Sequence, residues 1–125
     1  MKILICEDEE IMLTALEFRL QRQGLQVVVA KDGKEAIKII EQETPDLVVA
    51  DIMMPHVSGL QLIRHLREEM NSSLPVIVIS ALEHDETVLE AFRLGATDFI
   101  TKPFKPNELI LRIRKVFQDL KISES

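Results

Sequence analysis

Asp51 closes the apolar run Leu47-Val48-Val49-Ala50 and leads into Ile52-Met53-Met54-Pro55-His56-Val57-Ser58-Gly59. A carboxylate in that place is either a solvated strand end or a reactive group able to present an ionised oxygen to an electrophile. Polar residues follow other apolar runs in the same way. Glu7-Asp8-Glu9 come after Ile3 to Cys6, Ser80 after Val76 to Ile79, and Lys102-Pro103 after the run from Phe99 to Thr101. Carboxylates hold hard cations or attack as nucleophiles, a hydroxyl directs a hydrogen bond, and an ammonium neutralises an anion. One at a time, each is what any polar loop contains. Their shared placement is what needs explaining.

The elements that would position them can be read from period. Ile3 to Cys6, Gln26 to Ala30, Leu47 to Ala50, Val76 to Ile79 and Phe99 to Thr101 predict five strands, three of them continuously apolar, as strands covered on both faces are. Helical spacing lies between them. Ile11, Leu16 and Leu20 mark a first helix that Gly24 closes, and Asp32 with Glu35 forms a capping box ahead of Ile37 and Ile40. Ser58 and Gln61 cap a third helix carrying Leu62, Leu66 and Met70. Val88, Leu89 and Phe92 mark a fourth that ends by Gly95, and Leu109, Ile113, Val116 and Leu120 a fifth that follows Pro106. This alternation, without internal linker or repeat, predicts an α/β fold with an open parallel sheet and right-handed crossovers. Ligands of such sheets gather at the carboxyl ends of the strands, so the acids, Ser80 and Lys102 are expected on one edge.

The chain has 125 residues, room for one domain with a substantial core, and a formal charge of -6 that argues against a broad electrostatic grip on nucleic acid. Lys102, Lys105, Arg112, Arg114 and Lys115 still concentrate positive charge near the carboxyl end. No apolar run approaches a membrane span and the mixed, charged start MKILICEDEE lacks the plan of a secretory signal, so a cytoplasmic location is expected. Cys6, the single cysteine, lies in an apolar run and reads as packing, not redox chemistry.

The acidic group after the first strand, Asp51 before Met54-Pro55 and Gly59, Ser80-Ala81, and Lys102-Pro103-Phe104 together resemble the receiver domain of bacterial two-component response regulators. The resemblance covers residues 1–121, leaving 122–125 as a polar tail. It implies a flavodoxin-like sheet in the order 2-1-3-4-5 flanked by five helices. It also implies phosphoryl transfer from a sensor histidine kinase or phosphotransfer protein to Asp51, followed by a change in the partner-binding surface. By the same resemblance Asp8, Asp51, the Met53 carbonyl and Glu7 hold magnesium, with manganese able to substitute, Lys102 binds the phosphoryl group, and the bond before Pro103 is cis. Glu7 stands where an aspartate is typical. An all-oxygen set suits magnesium, and no histidine and cysteine cluster points to zinc.

Ser80 and Phe99 match the family's switch pair, in which the hydroxyl turns towards the new phosphoryl group and the aromatic ring moves into the space released. Met53 and Leu82 sit two residues beyond Asp51 and Ser80, where a polar side chain would position hydrolytic water. Neither can do so strongly, which predicts a long-lived phosphoaspartate. GATDFITKPFKPNELILRIRKVF resembles receivers of winged-helix transcription factors, which dimerise through the fourth helix, fifth strand and fifth helix. Asp98 and Arg112 match a charged pair of that face, with Phe92 and Ile110 as its apolar patch, whereas Val88 and Arg93 depart from its charge pattern. Met54 reads as packing, Met53 as a loop residue, His56 and His84 as surface residues, and Gly59 as a site of close backbone approach. The rival readings are an interaction module without phosphotransfer and a small magnesium-dependent phosphatase. No direct nucleic acid or membrane contact is expected, and the output partner is left open.

Overall fold

A computed structural model of the chain describes residues 1–81 and 84–124, with side chains described as far as Lys121. Five strands, β1 (Lys2–Cys6), β2 (Gln26–Ala30), β3 (Leu47–Asp51), β4 (Val76–Ser80) and β5 (Asp98–Thr101), pair in parallel in the order β2-β1-β3-β4-β5. The intervening helices are α1 (Glu10–Arg22), α2 (Gly33–Glu43), α3 (Gly59–Arg64), α4 (Asp85–Leu94) and α5 (Pro106–Glu124). The segment expected as a polar tail is thus mostly the last turn of α5. A π-helical turn, His65–Glu69, continues α3, and the Met70 amide donates to the His65 carbonyl five residues back at 3.0 Å.

Period two divides the core into two layers. Ile3, Ile5, Leu47, Val49, Ile77, Ile79 and Ile100 pack against Leu13, Leu16 and Leu20 of α1 and Leu109, Ile113 and Val116 of α5. Leu4, Cys6, Val48, Ala50, Val76 and Val78 pack on the other face with Ala36 and Ile40 of α2, Leu62 and Ile63 of α3, and Ala91 of α4. Each fully buried leucine or isoleucine contributes roughly 1.5–3 kcal/mol against an exposed one. The α1 stripe is Leu13, Leu16 and Leu20. Ile11, expected to belong to it, is 84% exposed, because the buried face follows the i, i+3, i+7 positions from Leu13. Leu89 and Phe92 of α4 and Leu120 of α5 are likewise exposed despite their apolar spacing.

Local signals set the helix ends. Asp32 accepts the Glu35 amide at 2.8 Å. Ser58 and Gln61 form the full reciprocal box, Gln61 N–H to Ser58 Oγ at 3.2 Å and Ser58 N–H to Gln61 Oε1 at 2.8 Å. Gly95 ends α4 with φ 112°, a left-handed conformation that costs glycine little.

Candidate functional site

Register alone brings the acids level. Cys6 pairs with Ala50, so Glu7 and Asp51 each follow one residue later on neighbouring strands. Ser80 pairs with Thr101, and Lys102 is the next residue. Side-chain alternation then sorts them: Glu7, Asp51 and Lys102 keep the parity of the α1/α5 layer, while Ser80 and Phe99 keep that of the α2/α3/α4 layer. The cis Lys102–Pro103 bond stands where expected.

The charged residues meet. The Lys102 ammonium donates to Asp51 Oδ2 and, at 3.3 Å, to Glu7 Oε2. Asp51 Oδ1 accepts the Met53 amide at 2.8 Å, and Glu7 Oε1 accepts the Glu9 amide at 3.2 Å. Glu7 is 1% and Asp51 3% exposed. Burial, then the hydrogen bond and negative charge of Asp51, push the Glu7 carboxyl up from 4.5 to about 7, against the opposing pull of the Glu9 amide and Lys102. Burial also works against the Lys102 charge, but Asp51 and then Glu7 outweigh it and raise the ammonium above its ordinary value. A proton on Glu7 leaves one carboxylate facing one ammonium, the combination that costs least to keep out of water.

Gly59 makes room for this arrangement. A Cβ there would lie 2.6 Å from the Asp51 carbonyl oxygen and 3.0 Å from Ile52 Cα, so any side chain would push on the backbone of the acid itself. The Gly59 amide instead donates to the Ile52 carbonyl at 3.1 Å. Gly33 plays a matching part across the loop, where a Cβ would stand 2.4 Å from the Val57 carbonyl oxygen.

Ser80 is fully buried, and Phe99 is partly buried against the α2/α3/α4 layer. Asp8 is exposed in the loop after β1. Among the described residues, no three His, Cys, Asp or Glu groups stand close enough to form a ready metal cage. The donor chemistry nevertheless fits magnesium, which needs only one or two carboxylates and keeps several waters. Leu82 lies outside the described residues. Met54 is buried, Met53 is 66% exposed, and His56 and His84 are exposed. Cys6 is free and buried, and burial followed by Glu35 and Asp32 pushes its thiol far above the ordinary range, which suits packing.

On the expected dimer face, Phe92 is exposed but Ile110 is only 6% exposed. Its side chain packs into the α1/α5 layer, so Ile110 is a core residue and supplies little contact surface. Arg112 pairs with Asp98 of its own chain at 2.9 Å and with Glu108 at 3.3 Å. Sequence reasoning missed Arg67, which donates to the carbonyls of Gly95, Ser72 and Leu74 and braces the end of α4. A charge within an amphipathic helix carries no sign of such a role. The Met53 amide on Asp51 was equally hidden, since a backbone donor leaves no mark in residue type.

Residues 3–114 match the family "Response regulator receiver domain". The chain is 36% identical over 122 residues to the alkaline phosphatase synthesis transcriptional regulatory protein PhoP of Bacillus subtilis (strain 168), covering 98% of this chain and 50% of that protein. It is 39% identical over 118 residues to the phosphate regulon transcriptional regulatory protein PhoB of Escherichia coli (strain K12), covering 94% and 52%. The chain therefore spans about half the length of these relatives. A solved structure of the Francisella response regulator 1452 receiver domain superposes with a TM-score of 0.90 at 34% identity, covering 95% of this chain and 98% of that one. With the sheet order, the strand-end acids and this similarity over nearly its whole length, the chain belongs to the response regulator receiver domain family.

Proposed function

We propose that Asp51 is the phosphoacceptor, taking the phosphoryl group of a phosphohistidine on a sensor kinase or phosphotransfer protein. The observation that carries this is the seating of Asp51: buried at the carboxyl edge of β3, fixed through one oxygen by the Met53 amide and paired through the other with Lys102. The hydrogen bond to Oδ1 fixes the carboxylate's orientation, and Oδ2 is the oxygen that attacks phosphorus as the nitrogen–phosphorus bond breaks. Lys102 keeps a second contact, to Glu7 Oε2, while it transfers the other from Asp51 Oδ2 to a phosphoryl oxygen. Asp8, Asp51 and the Met53 carbonyl, with Glu7 directly or through water, would hold a magnesium or manganese ion, which would supply charge that offsets repulsion between phosphate and carboxylates.

After transfer, Ser80 donates to the phosphoryl group from the opposite side of β4, and Phe99 on the adjacent strand follows into the volume released. Met53 and Leu82 keep the product long-lived. The surface that changes is α4 with β5 and the start of α5, and exposed Phe92 with the Asp98 and Arg112 pair marks it as a face for a second copy. The relatives named as transcriptional regulators point to an output carried by a further segment or a separate partner.

Incubation with a small phosphodonor and magnesium tests the reading. The expected result is one added phosphoryl group by intact mass, mapped to Asp51 and lost in Asp51→Asn. No adduct would instead favour an interaction module, and repeated turnover of an external phosphoester would favour a phosphatase.

A further inference from the structure

We infer that Met53 is a redox modification site whose oxidation to the sulfoxide shortens the lifetime of the phosphorylated state. The inference rests on Asp51 being the phosphoacceptor. Met53 is tied to the site through its amide, which donates to Asp51 Oδ1 at 2.8 Å, while the residue as a whole is 66% exposed. Its neighbour Met54 is only 9% exposed, and Met12 and Met70 are partly buried against the core. A peroxide arriving from solvent therefore meets the Met53 thioether before those three. Met1 is also exposed, but it precedes β1 and so lies at the amino-terminal edge of the sheet, opposite the site.

The chemistry is a two-electron oxidation. Hydrogen peroxide transfers one oxygen to the sulfur lone pair, the oxygen–oxygen bond breaks, and water leaves, giving the sulfoxide; methionine sulfoxide reductases reverse it. A thioether is a weak acceptor, whereas the sulfoxide oxygen accepts a strong hydrogen bond from water. Oxidation thus installs, on a flexible side chain two residues beyond Asp51, the polar acceptor that this sequence lacks there. Water held near phosphorus hydrolyses the acyl phosphate faster.

The experiment uses the whole chain, with dilute hydrogen peroxide as oxidant and peptide mass mapping to follow each methionine. Oxidation at Met53 should precede that at Met54, Met12 and Met70. Protein phosphorylated after oxidation should then lose its phosphoryl group at least about threefold faster than unoxidised protein. Sulfoxide reductase treatment should restore the slow rate, and the decay of Met53→Leu should be the same with and without peroxide. Equal decay of oxidised and unoxidised protein, earlier oxidation of Met54, or peroxide acceleration persisting in Met53→Leu would each overturn the inference. The unoxidised arm isolates the premise: absence of any adduct on Asp51 there removes the phosphoacceptor reading, and the inference with it.

Discussion

The helices on either side of β5 are held in different ways. α5 buries Leu109, Ile110, Ile113 and Val116 in one continuous stripe. α4 fully buries only Ala91, leaves Leu89 60% exposed, and has no side-chain cap at its amino end, where His84 precedes it. Its carboxyl end is braced by Arg67, which donates to the Gly95 carbonyl at 2.8 and 3.3 Å. Elements with few buried apolar contacts open at low free-energy cost, and moving parts are drawn from them. The site shows the same asymmetry. Glu7, Asp51 and Lys102 are locked together with the parity of the α5 layer, while Ser80 and Phe99, neutral groups able to shift without separating charges, share the α4 layer. On the proposed function, chemistry rests on the firm side of the sheet and readout on the loose one.

The sharpest way to break this contrast is to truncate one residue on each helix. Ile113→Ala on α5 should cost about 2–5 kcal/mol, the range for removing a buried aliphatic side chain from a packed core. Leu89→Ala on α4 should change stability by no more than about 0.5 kcal/mol, as at other exposed sites. Urea unfolding of both variants decides it. Comparable losses would mean that α4 is as much a part of the frame as α5.

Gly59→Ala comes next. The added Cβ meets backbone, not a flexible side chain, so relief requires Asp51 or the start of α3 to move. A cost of about 1–3 kcal/mol is expected, as for other overpacked sites. Slower phosphorylation from a small donor should accompany it, because the displaced atoms belong to Asp51, the proposed acceptor. Unchanged stability with unchanged phosphorylation would show that the close approach does not constrain the acid.

How far the sequence carried the reading follows from the same physics. Strands announced themselves because both faces of the sheet are covered, which makes runs such as Leu47 to Ala50 apolar at every position. Gly59 and the Ser58 box were legible because turn and cap chemistry is local. Ile11 and Leu89 misled because an apolar residue in a helix shows spacing but not which side the sheet lies on. Ile110 misled in the opposite sense, assigned to a surface that its neighbours in the α1/α5 layer occupy. Glu7 was identified as acidic-pocket chemistry, yet its contact with Lys102, 95 positions away, depends on strand register that residue types do not spell out.

That contact predicts a pH dependence for the firm side. The Glu7 carboxyl is raised from 4.5 to about 7 on folding, so between these values the native state holds more proton than the unfolded chain. The stabilisation from protonated Glu7 is present at low pH and is lost as pH rises through about 7. With one proton involved, the slope reaches at most about 1.4 kcal/mol per pH unit. Denaturant titrations across this window, in chelator to exclude metal binding, should show the loss in the native protein and its absence in Glu7→Gln. Identical slopes for the two would assign the pH dependence to other groups.

The smallest effect belongs to the surface where the two helices meet β5. Arg112 already bridges Asp98 and Glu108 within its own chain and reaches the Phe99 carbonyl at 3.4 Å. Being part exposed, these pairs should together contribute no more than about 1 kcal/mol, so Arg112→Ala should shift monomer unfolding only slightly. If the phosphorylated protein dimerises through this face, a charged bridge to a second copy must replace a bridge already made, and the net gain is a difference between like terms. Burial of the exposed Phe92 ring has no such offset. Sedimentation of the phosphorylated protein should therefore show Phe92→Ala weakening self-association more than Arg112→Ala does. The reverse order would mean that exchange of the charged pair, not cover for the poorly packed helix, drives assembly.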